Sequence, residues 1–89
     1  MRITTTSFTP GTDQDRLSGL LGFVAVIIDA LLVIDGIAVR RTRSGSLTLS
    51  FPAPTSTSGR RRELVRPVDA AAREQVERAV LEAIGPKLG

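Results

Sequence analysis

The stretch LLGFVAVIIDALLVIDGIAV, residues 20–39, decides the fold of this 89-residue chain. It has the length of a membrane-spanning helix, which needs about 20 predominantly apolar residues. However, Asp29 lies near its centre and Asp35 beyond it, and each Asp at mid-bilayer costs about 2.5–3.5 kcal/mol. The stretch is also rich in Val and Ile, which favour strands. We therefore predict two buried strands joined by a tight turn at Asp29-Ala30, and no membrane span.

The second of these strands is apolar on both faces where it begins. Side chains alternate along a strand, so Leu32 and Ile34 lie on one face and Leu31 and Val33 on the other. This pattern indicates burial on both sides, as in a central strand or at a subunit interface.

The remaining residues predict shorter strands and one helix. Leu47, Leu49 and Phe51 alternate with polar residues, whereas residues 10–18 and 52–59 read as polar loops. Asp69 suits a helix N-cap, and Gly85-Pro86 is a stop signal. The predicted strands span about 2–8, 20–28, 31–41, 46–51 and 61–66, and the predicted helix spans about 70–84. The fold class is therefore α+β, a small antiparallel sheet of four to five strands followed by one C-terminal helix, in a single domain over residues 1–89.

Positive charge is concentrated in the middle of the chain. Residues 40–66 contain seven of the twelve basic residues and one acid, whereas the net charge of the whole chain is only +3. All seven are arginines, whose planar guanidinium suits phosphate. The sequence therefore predicts a polyanionic partner, DNA or RNA. The predicted contact residues, with Arg73 added near the helix start, are Arg40, Arg41, Arg43, Arg60, Arg61, Arg62, Arg66 and Arg73.

The arginines have other interpretations. Basic residues also solvate turns and blunt the edges of sheets, and an anionic membrane or an acidic protein is a further possible partner. Arg40–Arg43 flank a predicted hairpin turn, whereas Arg60–Arg62 follow a flexible loop. The two clusters would meet at one end of the sheet if that loop folds back.

Catalytic chemistry finds little support in the composition. The chain has no Cys and no His, which removes the usual nucleophilic thiol, general base and commonest metal ligand. Asp29 and Asp35 would lie about 20 Å apart in an extended strand, so we assign them turn and strand-end roles. We expect a non-enzymatic protein with no cofactor, no metal and no small-molecule substrate. The polar, Thr-rich start predicts no signal peptide, and with the lack of Cys it favours the cytoplasm.

Several stretches in order are similar to one bacterial family. They are the strand pair from Asp29 to Val39, Phe51-Pro52, and the segment with Gly59, Arg62-Glu63-Leu64 and Pro67-Val68. With these residues the chain from Asp29 on resembles the stage V sporulation protein G (SpoVG) family of regulators. Asp35 and Arg66 stand where the family often has His, and Glu63 stands where it usually has Asp.

The resemblance implies a cytoplasmic regulator, of sporulation, septation or wider gene expression, that binds DNA and in some members RNA. It also implies a homodimer formed through the sheet. Arg62 is the one predicted contact residue at a position that is basic in the family motif. The alternative is an adaptor that dimerises through its apolar strands and recruits a protein through an exposed edge, without binding nucleic acid.

Overall fold

Four antiparallel strands and two helices make up the described part of the chain. The structure is a computed structural model and describes residues 2–53, 59 and 64–88. The elements, in chain order, are β1 (Ile3–Pro10), α1 (Asp13–Leu17), β2 (Leu20–Ile28), β3 (Leu32–Arg41), β4 (Leu47–Ser50) and α2 (Ala70–Leu88). The strands lie side by side in the order β1-β2-β3-β4, each antiparallel to the next. The predicted α+β class, an antiparallel sheet followed by a C-terminal helix, is confirmed.

The turn that divides the long apolar stretch is the predicted one at Asp29-Ala30. Both residues have positive φ, 51° and 59°, which is the backbone of a type I′ hairpin turn. The Leu31 N–H donates to the Ile28 carbonyl at 2.9 Å and closes it. The Asp29 carboxylate also accepts the Arg2 N–H at 2.6 Å, which fastens the start of the chain to the turn.

A bulge in β3 brings a wide set of apolar residues to one face of the sheet. Val24 pairs with Ile37 and Val26 with Ile34, so β3 has one residue more than β2 between these pairs. Gly36 in the bulge has φ +77°, a conformation that glycine adopts without strain. The bulge lets Ile34 and Ile37 both pack against the core although they are three residues apart.

Helix α2 covers this face. Val80 and Ile84 are fully buried against the sheet residues of the core, and Val76 packs partly against it. Asp69 is the N-cap that the sequence predicts, since its carboxylate accepts the Ala72 N–H at 2.8 Å. We call the opposite face the open face, because α2 packs against one side of the sheet only.

Three predictions about the elements were wrong. Residues 10–18 contain α1, which begins at a capping box: Thr12 Oγ1 accepts the Asp15 N–H at 3.0 Å, and Asp15 Oδ2 accepts the Thr12 N–H at 2.9 Å. Helix α2 continues through Gly85 and Pro86 to Leu88, so the predicted stop signal does not end it.

The third concerns the predicted strand at 61–66. Leu64 and Val65 form a bend and Arg66 belongs to no strand, so the prediction fails over residues 64–66, whereas residues 61–63 lie outside the described residues. Leu64 donates its N–H to the Pro52 carbonyl at 3.2 Å, and Pro67 follows too soon for a ladder of such bonds to develop.

Candidate nucleic-acid interface

Arg41 and Arg43 lie on either side of the point where β3 enters its turn to β4. They line a cleft of about 610 Å³ together with Arg16 of α1. None of these three side chains has a hydrogen-bond or ion-pair partner among the described residues. We call Arg16, Arg41 and Arg43 the cleft arginines. Three unpaired guanidinium groups at one cleft create a positive potential that an anion would neutralise.

Arg40 lies on the other side of the sheet. Val39 points into the core, and successive side chains of a strand point to opposite faces, so Arg40 belongs to the open face. It is exposed there. The sequence treats Arg40 and Arg41 as one cluster, whereas the fold separates them.

Arg66 is exposed and belongs to a segment anchored far from the cleft. The Leu64–Pro52 hydrogen bond fixes that segment beyond the end of β4. Pro52 is five residues along the chain from Leu47, which pairs with Arg41, a distance of about 16 Å in an extended chain. The structure therefore does not bring Arg66 to the cleft arginines.

Arg73 is engaged in a structural contact. Its Nη2 donates to the Leu49 carbonyl at 2.7 Å, and its Nε lies 3.5 Å from Glu77 Oε1. These bonds join α2 to the edge of β4. A phosphate contact by Arg73 would compete with them, so Arg73 is a weaker candidate than the unpaired arginines.

Arg60, Arg61 and Arg62 lie outside the described residues, and so does the predicted meeting of the two arginine clusters. The sequence, on the other hand, did not single out Arg16, which the fold places in the cleft. The sequence feature that could have identified Arg16 is the capping pair Thr12 and Asp15. This pair predicts a short helix after Thr12, and Arg16 lies in the last turn of that helix.

Asp15 maintains this short helix. The hydrogen bond from the Thr12 backbone N–H, followed by the bond with the Thr12 side chain, lowers the pKa of Asp15 below its ordinary value of 3.8. The carboxylate is thus ionised at neutral pH and committed to the helix start.

The two aspartates considered for acid–base chemistry have backbone partners. Asp29 accepts the N–H of Arg2, and Asp35 Oδ1 accepts the Gly36 N–H at 2.7 Å, in the bulge. Across the described ranges, no group of three or more His, Cys, Asp or Glu residues is arranged to hold a metal ion. No helix within those same ranges is long and apolar enough to cross a membrane.

Comparison with known protein families adds an identity to this arrangement. The SpoVG family model matches residues 1–85 of the chain. The chain belongs to the SpoVG family. The match extends the resemblance found from Asp29 onwards back to the first residues, so β1 and α1 are part of the SpoVG domain. A comparison with curated proteins found no match.

SpoVG is a family of regulatory, non-enzymatic proteins, and membership supports a SpoVG-like regulator in general.

Proposed function

We propose that this SpoVG protein is a regulator that binds nucleic acid, DNA or RNA, through its arginine-rich surface. The observation that carries the proposal is the set of cleft arginines, which have no acidic partner in the described part of the chain. Arginines without partners are available to form bidentate bonds with phosphate. Arg66 and the Arg60–Arg62 run would add contacts outside the cleft, whereas Arg40 lies on the open face, which the dimer proposed below would cover.

The sequence preference of this binding should be modest. The chain has no Trp and no Tyr, and only three Phe, of which Phe51 is buried in the core. Few aromatic rings remain for stacking on bases, so phosphate contacts would dominate. Binding dominated by phosphate contacts weakens steeply with salt, because each contact releases a counterion.

Fluorescence anisotropy with labelled duplex DNA, single-stranded DNA and RNA tests the proposal. With six to eight phosphates engaged, log K should fall against log salt with a slope of about −5 to −7 on duplex DNA. Replacing Arg60, Arg61 and Arg62 together by Glu should remove most of the affinity. Affinity that is unchanged by salt, or by this triple charge reversal, would contradict the proposal.

We also propose that the protein is a homodimer joined through the open face. Phe23 pairs with Ala38 across β2 and β3, and Ile27 pairs with Val33. All four belong to the open face, since Val24 and Val26 point into the core. Leu31, Leu32 and Val33, at the adjoining hairpin end, are 83%, 65% and 63% exposed. The sequence pattern of β3 indicates burial on both faces, and a second subunit would supply the missing side.

The same exposed hairpin end favours the adaptor as a second candidate function. A protein partner could bind these apolar side chains in place of a second subunit. A pull-down with and without nuclease separates the two functions. Partners that disappear on nuclease treatment support nucleic-acid binding, and protein partners that remain support the adaptor.

A further inference from the structure

The cleft combines features that a bare phosphate contact does not require. Its volume, about 610 Å³, lies within the range of about 300–1,000 Å³ found for small-molecule sites. The cleft arginines form its charged part. Phe8 and Leu21 form an apolar wall, and both also pack against the core.

The backbone that carries the arginines is held in place. The Arg41 N–H donates to the Gly19 carbonyl at 2.7 Å, which ties β3 to the end of α1. A Cβ at position 19 would lie 2.8 Å from the Arg41 carbonyl oxygen, so only glycine permits this approach. The turn between β3 and β4 is closed by a hydrogen bond in which the Thr42 N–H donates to the Ser46 carbonyl at 2.8 Å. A preorganised site loses less entropy when a ligand binds.

No carboxylate in the described part of the chain lies within ion-pair distance of the cleft arginines. Asp15, the acid nearest to Arg16 in sequence, has its carboxylate bonded to Thr12. The cleft arginines present donors for a phosphate, and Phe8 and Leu21 line the cleft beside them with apolar side chains. A ligand in which an anionic group is joined to a planar ring would match both the cleft arginines and the apolar wall.

We infer that this cleft is a nucleotide-binding site, in which Arg16, Arg41 and Arg43 bind the phosphate and the wall containing Phe8 packs against the base. The nucleotide can come from two sources, a free mononucleotide or one unpaired nucleotide of a single strand. The inference deepens the proposed function and rests on it only for the strand-borne source.

Titration of the ¹⁵N-labelled protein with AMP, with inorganic phosphate and with adenosine tests the site. AMP should bind most tightly and shift the amide signals of residues 16–21 and 41–45. Arg16→Gln should weaken AMP about tenfold, the effect of losing one charge-assisted hydrogen bond, whereas Arg78→Gln on α2 should leave it unchanged. Equal AMP affinity in the wild type and in Arg16→Gln would overturn the inference.

A second variant tests whether the apolar wall that contains Phe8 contacts the base. Phe8→Leu keeps an apolar side chain but removes the ring, so it should weaken AMP several-fold and leave phosphate binding unchanged. The melting temperature of each variant shows whether the fold is intact. Phosphate that binds as tightly as AMP to the wild type would also overturn the inference, because the wall would then contribute nothing.

Anisotropy with a short labelled single strand separates this inference from the proposed function. In one outcome, AMP binds in a way that depends on Arg16 and the protein has no affinity for any strand. This outcome would support the cleft as a site for a free nucleotide and would refute nucleic-acid binding. In the opposite outcome, the protein does not bind AMP, and Arg16→Gln binds the strand as tightly as the wild type does. This outcome would support nucleic-acid binding and overturn the nucleotide site. Competition between AMP and the strand would identify the strand-borne source.

Discussion

Glu77 binds the backbone of Leu49 at the free edge of β4, its Oε2 accepting the Leu49 N–H at 2.8 Å. Arg73, one helical turn earlier, donates to the carbonyl of the same residue at 2.7 Å. The two side chains thus satisfy the groups that a further strand would pair. An unpaired edge is a site for association with other chains, so α2 protects the sheet as well as covering its core.

Removal of Glu77 should therefore destabilise the protein. In Glu77→Ala the N–H of buried Leu49 and the Thr48 hydroxyl, which also donates to Glu77, lose their acceptor. An unsatisfied buried donor costs about 1–3 kcal/mol, which urea denaturation would measure as a lower free energy of unfolding. Glu74→Ala is the matched control: it removes the exposed pair with Arg78, and such pairs contribute about 0–1 kcal/mol. Equal losses in the two variants would show that Glu77 does not hold the edge.

Ala30→Gly should stabilise the hairpin of β2 and β3. Ala30 has φ 59°, and a left-handed conformation costs a residue with a Cβ about 1–2 kcal/mol. Glycine relieves this strain but adds entropy to the unfolded chain, worth about 0.4–1 kcal/mol. We expect a net gain of about 0.5–1 kcal/mol in the free energy of unfolding. Ala71→Gly in the first turn of α2 is the control and should lower that free energy; a loss of stability in both variants would contradict the prediction.

The main elements could be predicted because their signals are local. The aspartate that interrupts residues 20–39 predicts the turn, and Asp69 predicts the start of α2. Helix α1 was missed because five residues are too few to show an apolar period, although its capping box is visible in the sequence. Over residues 64–66 the predicted strand rested on Leu64 and Val65, two apolar residues without a partner strand in the described structure.

The candidate site was predictable in charge but not in geometry. The arginine-rich region is evident from composition. Whether Arg40 or Arg41 faces the cleft depends on which face of the sheet α2 covers. The packing of α2 onto that face takes place far from both arginines in the sequence. Arg16 comes from a separate element, and the Gly19–Arg41 hydrogen bond, with the pairing of Leu20 and Arg40, brings that element beside the turn. Contacts between distant parts of the chain leave no periodic signal in a single sequence.

Phe23→Asp should dissociate the proposed dimer. Phe23 is 43% exposed on the open face, so an aspartate there can remain hydrated in the monomer but would be desolvated between two sheets. Sedimentation equilibrium should show a dimer for the wild type and a monomer for the variant. Val68→Asp, at an exposed apolar residue outside the sheet, is the control and should leave the mass unchanged. A wild type that is monomeric at all concentrations would refute the dimer.

The capping pair of α1 should lose its strength in acid. The pKa of Asp15 is lowered in the folded protein, so its contribution to stability is present above the unfolded pKa of 3.8 and is lost as the pH falls through the folded value. Carboxyl ¹³C shifts should show that Asp15 titrates at lower pH in the folded protein than in the urea-unfolded chain. Thr12→Ala removes the side-chain acceptor for the Asp15 N–H and should raise the pH at which Asp15 titrates in the folded protein. An Asp15 that titrates at the same pH in the folded and the unfolded protein would refute the capping box.

The salt dependence of nucleic-acid binding should distinguish unpaired arginines from paired ones. Each phosphate contact contributes about −0.9 to the slope of log K against log salt on duplex DNA. Arg43→Gln, in the exposed turn beside the cleft, should therefore make the slope less negative by about 0.9. Arg78→Gln, whose guanidinium is paired with Glu74 at 3.0 Å, should leave it unchanged. The two variants remove the same charge from the chain, so an effect of net charge alone would alter both slopes equally. Anisotropy titrations at four or more salt concentrations measure the slopes, and equal slopes for Arg43→Gln and the wild type would exclude Arg43 from the interface.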